Sequence, residues 1–526
     1  MIKGHIKPPH FDLSNEKIVL RHVYAVALAD FWRNHEDHLG RVENLFLRDD
    51  GSGVDDLAAY LATKPRAIQA SLEEVVPAEL EESLGVQSWA WVDRLLAPIE
   101  SPEPGPLTLA RIEVESDIAA LTERYDQLVA IRRTGADHLV RLMNTIKKRN
   151  LINFLSSRNV LPRYGFPVDV VMLDLRFNHH ADRDIELQRE LSLAISDYAP
   201  DGETVAGGKI WVSRYLQSMP QRHWPRYHFG ECTICRNHVT KLHVGDGDKT
   251  VACGTCGAIV KCEGSFLVPE FGFLADLKEP KAAGSQRPKR TYSTRVFFSG
   301  VEADSSNRDR RFELPGGYVT VRTSKAGRLA VINGAKGAQF LICQSCGYGM
   351  IAGSKRGNPG HNNAYGRPCQ GRWIRAALGH EFRSDIAKIE FEPCTYESSG
   401  FWYSLLYALI EGACMAMDVH RTEIDGCIQW GRFPDMATSL ILFDSVPGGV
   451  GHVQQLATEV GIKGATNAAY ARMQSCTCGG ETGNGSCYRC LRNYTNQFCH
   501  DVLDRGLVKD FLERLCLAKD SPSLVG

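Results

Sequence analysis

Charge of one sign is what this chain lacks most. Its 61 lysines and arginines are balanced by 62 aspartates and glutamates, for a formal net charge of −1 and a pI near 7.0. A protein whose main task was to coat DNA would be more basic, so any contact with nucleic acid must be local or shared with a partner. No uninterrupted apolar run reaches the roughly eighteen residues of a membrane span. The opening Met1-Ile-Lys-Gly-His-Ile-Lys-Pro-Pro-His10 has no apolar stretch of the kind a secretory signal needs. A phosphate-cradling G-x-x-x-x-G-K-[ST] loop is missing too. The nearest approach, Gly245-Asp-Gly-Asp-Lys249-Thr250, lacks glycine before the lysine and carries two acids that would repel phosphate, so it reads as a turn. Gln429-Trp-Gly-Arg432 has the wrong spacing for a helicase arginine motif. A nucleotide-driven motor is therefore not expected here, and no catalytic residue set or small-molecule substrate is assigned.

What the chain does have is cysteine in pairs. Seventeen cysteines in 526 residues would suit disulfides in a secreted protein, but CxxC spacing points to thiolate-bound metal in a reducing, cytoplasmic setting. Cys476, Cys478, Cys487 and Cys490 fall within fifteen positions and can close a tetrahedral thiolate shell around Zn2+. Cys232, Cys235, Cys253 and Cys256, with seventeen residues between the pairs, have the spacing of a zinc ribbon: two knuckles, each at the tip of a hairpin, sharing one ion. Residues 241–253 read as strand, Gly/Asp turn, strand. His238 and Cys262 are bystanders in this reading. A third set is Cys343, Cys346, His361 and Cys369, with His380 as an alternative to His361. Three zinc ions per chain are expected. Cys394, Cys414, Cys427, Cys499 and Cys516 lack ligand spacing and read as small buried hydrophobes.

With 43% hydrophobic and 23% charged residues the chain is globular, and its length implies several domains. The expected fold class is multidomain α+β. Residues 1–164 form a helical region, with a Pro-rich linker near 97–106 and a long helix or helical pair over 107–157. Residues 165–275 form an α/β segment carrying the ribbon, with a strand from Val168 to Leu173 and a helix over 182–197. Residues 276–400 are β-rich and hold the second zinc site, with strands Thr291–Ser299, Tyr318–Arg322, Leu329–Asn333 and Gln339–Ile342. Residues 401–526 form an α/β zinc-binding domain, with an apolar helix from Phe401 and a strand over Leu440–Phe443.

Basic clusters lie at Lys147, Lys148, Arg149, Arg158 and Arg163, at Arg287, Lys289, Arg290 and Arg295, and at Arg367, Arg372 and Arg375. Tyr292 and Trp373 are interleaved with the last two, as phosphate pairing with base stacking requires. Arg492, Tyr494, Asn496 and Gln497 flank the last cysteine pair. The nucleic-acid contacts expected are Arg287, Lys289, Arg290, Arg295, Arg492 and Tyr494. Asp444-Ser-Val-Pro-Gly-Gly-Val-Gly-His452 reads first as a turn whose aspartate caps the next helix. Its alternative is a metal-dependent nuclease using Asp444, Asp385 and Glu390.

Several motifs together resemble the C-terminal half of large bacterial DEAD/DEAH-box helicases that end in the MrfA-type zinc-binding domain. They are Pro8-Pro-His-Phe-Asp-Leu13, Leu161-Pro-Arg-Tyr-Gly-Phe-Pro-Val-Asp-Val-Val171, Leu187-Gln-Arg-Glu-Leu191, Leu378-Gly-His-Glu-Phe-Arg-Ser-Asp385, the Asp444 loop, and Ser486-Cys-Tyr-Arg-Cys-Leu-Arg-Asn-Tyr494 running on to Leu-Asp-Arg505. The resemblance places the family's four-cysteine zinc site on Cys476, Cys478, Cys487 and Cys490. The two motor domains that precede this region in such helicases have no counterpart here. By domain alone the chain is also similar to the zinc-domain subunit DrmB of the DISARM phage-defence system. The resemblance implies a non-motor, zinc-stabilised subunit that partners a helicase in trans and adds DNA binding in anti-phage defence. A purely structural scaffold of such a complex is the further alternative.

Overall fold

The computed structural model describes residues 16–48, 51–101, 104–130, 136–158, 160–162, 170–175, 178, 180, 185–218, 224–242, 249–253, 256–284, 288–289, 294–301, 309–353, 360–431, 437–445, 449–479 and 484–517. Pro8–Leu13, Arg163, Arg287, Arg290, Tyr292 and Arg432 lie outside them.

The first part of the chain is helical: α1 (Glu16–Asn34), α2 (Val42–Phe46), α3 (Gly53–Ala62), α4 (Arg66–Val75), α5 (Ala78–Leu84), α6 (Ala90–Leu96), α7 (Pro106–Ala130), α8 (Ala136–Lys147) and α9 (Leu151–Ser157). Val19, Val23, Ala27, Leu28 and Phe31 recur at helical spacing along α1 and are buried, which puts one face of α1 in the core. One apolar cluster runs from Val19 to Leu161. The expected linker near 97–106 connects two helices of this cluster and is closed at its ends. The Gly105 N–H donates to the Ala97 carbonyl at 2.9 Å, and a Cβ on Gly105 would come within 2.2 Å of the Leu95 carbonyl oxygen. Prolines there end one helix and start the next.

The strands then begin: β1 (Val170–Asp174), β2 (Leu187–Glu190), β3 (Glu203–Ala206), β4 (Lys209–Leu216), β5 (Arg226–Glu231), β6 (His238–Leu242), β7 (Thr250–Ala252), β8 (Ile259–Lys261), β9 (Gly264–Leu267), β10 (Phe273–Ala275) and β11 (Lys281–Ala282), with α10 (Leu191–Asp197) after β2. The helix expected over 182–197 is thus, in its described part, the short strand β2 followed by α10. Leu187–Glu190 pairs antiparallel with β1, and that pairing overrides a locally helix-compatible sequence. β11, β4, β10, β1 and β2 lie side by side in that order, with β3 against β4.

A larger sheet is built on β14 (Gly317–Asn333) and β19 (Trp373–Glu392). It also takes β12 (Thr294–Val301), β13 (Arg310–Leu314), β15 (Phe340–Cys343), β16 (Gly349–Ile351), β20 (Ile424–Gln429) and β21 (Ser439–Asp444), with β9, β5 and β6 added beside β19. A small hairpin, β17 (His361–Asn362) and β18 (Pro368–Cys369), stands apart. The strands expected at 318–322 and 329–333 are two halves of β14. The strand shifts register between Ser324 and Gly327 and pairs with β19 on both sides of the shift. Gly327 permits the bend, because a Cβ there would sit 2.2 Å from Ile386 Cγ2.

Alternation decides the two faces. Val319, Val321, Ala387, Ile389 and Phe391 face α11 (Ser399–Met417), α12 (Glu459–Ser475) and α13 (Arg505–Leu517) in the main core. Leu329, Ile386, Ile441 and Phe443 pack on the other side with Phe298 and Cys427. α11 has the length and apolarity of a membrane-spanning helix, but 72% of that window is buried within the fold.

α11 and α12 approach closely at Gly412, where a Cβ would meet the Ala465 carbonyl oxygen at 2.2 Å and the Ala469 amide nitrogen at 2.7 Å. Backbone cannot yield as a side-chain tip can. Gly412→Ala is therefore expected to lower the melting temperature sharply, by the equivalent of roughly 1–3 kcal/mol. Gly464→Ala, whose Cβ would meet Ala416 Cβ at 3.4 Å, should be neutral or stabilising by up to about 1 kcal/mol. Equal melting of the two variants would refute this packing.

Candidate metal centres and the surface they carry

Among the described residues, three groups of ligand atoms converge, the atoms of each group within 4.8 Å of one another: Cys232, Cys235, Cys253 and Cys256; Cys343, Cys346, His361 and Cys369; and Cys476, Cys478, Cys487 and Cys490. All twelve expected ligands are brought together as the spacing proposed. A zinc ion about 2.3 Å from each sulfur of a tetrahedron sets sulfur–sulfur edges of about 3.8 Å. In the ribbon the Cys232–Cys256 and Cys235–Cys253 edges are 3.5 and 3.4 Å. The C-terminal tetrad has edges of 3.5, 3.6, 3.6 and 3.8 Å. In the second site Cys343 lies 3.8 Å from Cys369, and Cys346 lies 3.2 Å from His361 Nε2. The residues present fit zinc.

The first three knuckles share one backbone design. The amide four residues after each leading cysteine donates back to that cysteine's carbonyl: Arg236 to Cys232, Gly257 to Cys253 and Gly347 to Cys343, at 3.0, 2.8 and 2.9 Å. The leading cysteine's own N–H then donates to the next residue's carbonyl, on Asn237, Ala258 and Tyr348. The turn requires positive φ after the second cysteine, which is +58° at Arg236, +73° at Gly257 and +74° at Gly347. Glycine adopts this freely and arginine at a cost. The ribbon knuckles lie between β5 and β6 and between β7 and β8. The two strands expected within 241–253 are the end of β6 and β7, each paired in the hairpin of its own knuckle, and residues 243–248 between them lie outside the described set.

At the second site β17 and β18 set His361 opposite Cys369. The imidazole packs between Tyr348 and Trp373, with ring centroids at 4.9 and 4.6 Å. Its Nδ1 is buried without a hydrogen-bond partner, which leaves Nε2 to face the thiols. His380 lies elsewhere on β19, stacked on Phe382. His238 is stacked on Phe297 at 4.7 Å, and burial pushes its ring down to about 4. Cys262 sits in the small apolar cluster beneath the ribbon, outside the tetrad.

The C-terminal tetrad is supported by buried polar groups. Arg505, 4% exposed, donates to the Cys478 carbonyl at 3.2 and 2.9 Å and to the Met473 carbonyl at 2.9 Å. Asn496 is fully buried. Its amide donates to the Leu491 carbonyl at 2.8 Å, and its oxygen accepts from the Asn493 N–H at 2.8 Å. Asn496 thus shapes the knuckle and is withdrawn from the surface on which the sequence placed it. Arg492 is half-buried, donating to Ser486 Oγ at 2.9 Å and the His500 carbonyl at 3.4 Å. Burial opposes ionisation of Cys232 and Cys487, but backbone N–H groups and neighbouring thiols outweigh it and bring both to about 7. A thiolate is therefore accessible near neutrality in the ribbon and in the C-terminal tetrad.

The basic clusters fare differently. Arg295, at the start of β12, is exposed and lies over the Phe498 ring at 5.8 Å. Phe498 in turn meets Tyr403, which meets Trp430. The neighbouring Gln429 donates to the Cys235 carbonyl in the ribbon at 3.0 Å. Lys289 is exposed, its backbone paired with Glu203. Arg158 is held by Glu113 in a bidentate pair at 2.5 and 2.6 Å. Arg372 and Arg375 are exposed. Tyr488 and Arg489, between the last two cysteines, are exposed as well. Their place inside the Cys-Tyr-Arg-Cys loop is the signal that sequence reasoning passed over.

Asp444 behaves as a cap. Its carboxylate accepts from the N–H groups of Val450, Gly451, His452 and Val453 at 2.8–3.1 Å. Asp385 lies opposite it on β19 and shares the Gly451 N–H at 3.0 Å. Glu390, five residues along β19, points to the other face and accepts from Ser439 Oγ at 2.7 Å. Burial, then the Asp444 charge, pushes Asp385 up to about 7. Among the described residues these three acids do not converge as a metal cluster.

Residues 405–491 match the MrfA Zn-binding domain, so the C-terminal tetrad belongs to a zinc-binding domain of that kind. Druantia protein DruE of Escherichia coli strain UMEA 4076-1 is 22% identical over an alignment covering 96% of this chain and 30% of that protein. The chain thus spans about a third of the length of this curated relative. A crystal structure of the DUF1998 helicase MrfA bound to DNA aligns at a TM-score of 0.32 and 10% identity, covering 68% of this chain and 35% of that one. A second, with DNA and AMPPNP, aligns at 0.26 and 6% identity, covering 67% and 33%.

Elemental analysis of protein purified without added zinc should find three zinc ions per chain. Cys490→Ser should lower that count by one and unfold the C-terminal region, because metal binding adds directly to folding. Cys394→Ser, outside every tetrad, should be mild. Equal losses in the two variants would refute the ligand assignment.

The aspartate pair predicts a pH dependence. A carboxyl whose folded pKa is raised favours the protonated state, so its contribution to stability is lost as pH rises from about 4 to the folded value near 7. The groups around it are Asp444, Lys325 and Gln454. Asp385→Asn, which keeps an oxygen for Gly451, should raise stability at pH 8 by an amount on the order of 2 kcal/mol. It should also flatten the slope between about pH 4 and 7. An unchanged slope would show that Asp385 titrates normally.

Proposed function

We propose that this chain is a non-motor, zinc-stabilised module that works with a helicase motor supplied in trans and adds a DNA-binding surface, in bacterial defence against phage. The observation that carries the reading is the meeting of Arg295 with Phe498. Arg295, from one basic cluster, and the last cysteine knuckle, picked out separately in the sequence, meet at the surface beside a zinc tetrad. The MrfA Zn-binding domain at 405–491 and the end-to-end similarity to a Druantia protein support the helicase and defence parts.

The near-zero net charge limits long-range attraction, so affinity rests on local cations and falls steeply with salt. Docking to a motor adds to it by raising effective concentration. Labelled DNA should bind weakly to the chain alone and more tightly to the chain with its motor partner, identified by co-purification from the host. Arg295→Glu should weaken the mixture several-fold at low salt. Binding by the mixture equal to that of the partner alone, unchanged by Arg295→Glu, would reduce the chain to a scaffold. Metal-dependent cleavage of the probe would instead support a nuclease.

A further inference from the structure

We propose that the surface formed by the C-terminal knuckle and the start of β12 takes single-stranded nucleic acid, with bases stacked on Tyr488 and Tyr494 and phosphates paired with Arg295, Arg489 and Arg492. The inference rests on the DNA-binding reading above and narrows it to one strand form and one site.

The first observation is exposure. Tyr488 is 66% exposed and Tyr494 52%, although large rings are normally drawn into cores or interfaces. The second is rigidity beneath them. Asn493 Oδ1 accepts from the Thr495 and Asn496 N–H groups at 2.9 and 2.8 Å. His500 Nε2 lies 2.7 Å from Asn496 Oδ1, and its ring meets Tyr488 edge-on at 5.6 Å. The metal tetrad closes the same loop. The tyrosines are thus presented from a fixed frame, which limits the entropy lost when a base stacks on them.

Charge and shape choose the ligand. Arg489 follows Tyr488 and Arg492 lies two residues before Tyr494 in the knuckle, while Arg295 lies over the knuckle's Phe498, and cations beside rings suit a strand offering phosphates and π-faces together. The duplex grooves admit a helix or a two-stranded ribbon, whereas the knuckle part of this surface, which carries both tyrosines, is made of turns and a three-residue helical turn, Gln497–Cys499. Duplex would also hide the base faces that the tyrosines could use. Phe498 has a different task. It is 38% exposed; it lies beneath Arg295 and meets Tyr403 in a T-shaped contact at 5.6 Å, so it aims the Arg295 guanidinium.

The test is an anisotropy titration of the full chain at low salt with three labelled probes: an oligothymidine strand, the same strand as duplex, and an abasic strand of equal length. The intact strand should bind best, with at least about ten-fold loss for the abasic strand. Tyr488→Ala with Tyr494→Ala should weaken the intact strand by about ten-fold or more and leave the abasic strand unchanged. Tyr488→Phe with Tyr494→Phe should retain binding. Arg295→Glu should weaken all three probes. Zinc content and melting of each variant establish that the fold is intact, and the probe comparison on the unaltered chain stands without any variant. Equal binding of intact and abasic strands, or a preference for duplex, overturns the inference and leaves the broader DNA-binding reading standing. Failure to bind any probe, alone or with the motor partner, sinks both.

Discussion

The twenty residues of β19 are the reference against which the rest of the molecule is placed. A strand has two edges and two faces, and β19 uses all of them. Its first part pairs with β15, which ends at Cys343 in the second tetrad. Ala377 and Leu378, next along, take β9, and through it the ribbon's β5 and β6. Its length pairs with β14, and its last part with β21. One face meets the helices that carry the C-terminal tetrad. Backbone hydrogen bonds along a strand fix register to the residue, because a one-residue slip would turn every apolar side chain to the wrong face. The three metal centres are thereby tied to a single sheet, and segments that the sequence divided at 275 and 400 share it.

Metal closure and buried polar contacts then do locally what the sheet does globally. Short irregular knuckles have little apolar area of their own. Thiolate ligation supplies the missing stabilisation, and buried donors pin the backbone around it. Arg505 lends three hydrogen bonds to carbonyls at 473 and 478. Arg472 pairs with Glu411 at 3.0 Å, and Arg421 pairs with the same carboxylate, which joins α11 to α12 just before the cysteines. Removing one member of such a group strands the others without water, which is why these positions matter more than their distance from any surface suggests.

Function follows from what this scaffold leaves outward. The ribbon, β20 and the C-terminal knuckle are joined by Gln429, Trp430, Tyr403 and Phe498, so the two zinc modules are mechanically continuous. Arg295 comes from a different segment and is seated by an aromatic ring on the knuckle. A cation held over a ring is positioned without being neutralised, and it stays available to a phosphate. The Asp444 loop, which the sequence left open between cap and catalyst, spends its carboxylate oxygens on four backbone N–H groups. That is a structural use, consistent with its burial.

The metal sets, the apolar helix after Ser399, the strands at β12, β15 and β21, and the kinship with the MrfA Zn-binding domain were legible in the sequence. Each depends on local spacing: ligands a fixed number of residues apart, or apolar side chains at helical or strand period. His361 against His380, the fate of 187–190, the fusion of two expected strands into β14 and the burial of Asn496 were decided by tertiary structure. His361 is chosen because a two-residue hairpin sets it opposite Cys369. Leu187–Glu190 is a strand because β1 offers it an edge. Arg158 and Arg295 are both arginines in basic stretches and both lie over aromatic rings, yet Arg158 is also held by Glu113. Spacing along the chain fixes which residues can act together nearby, and only long-range pairing decides which partner a side chain finds and whether it faces water.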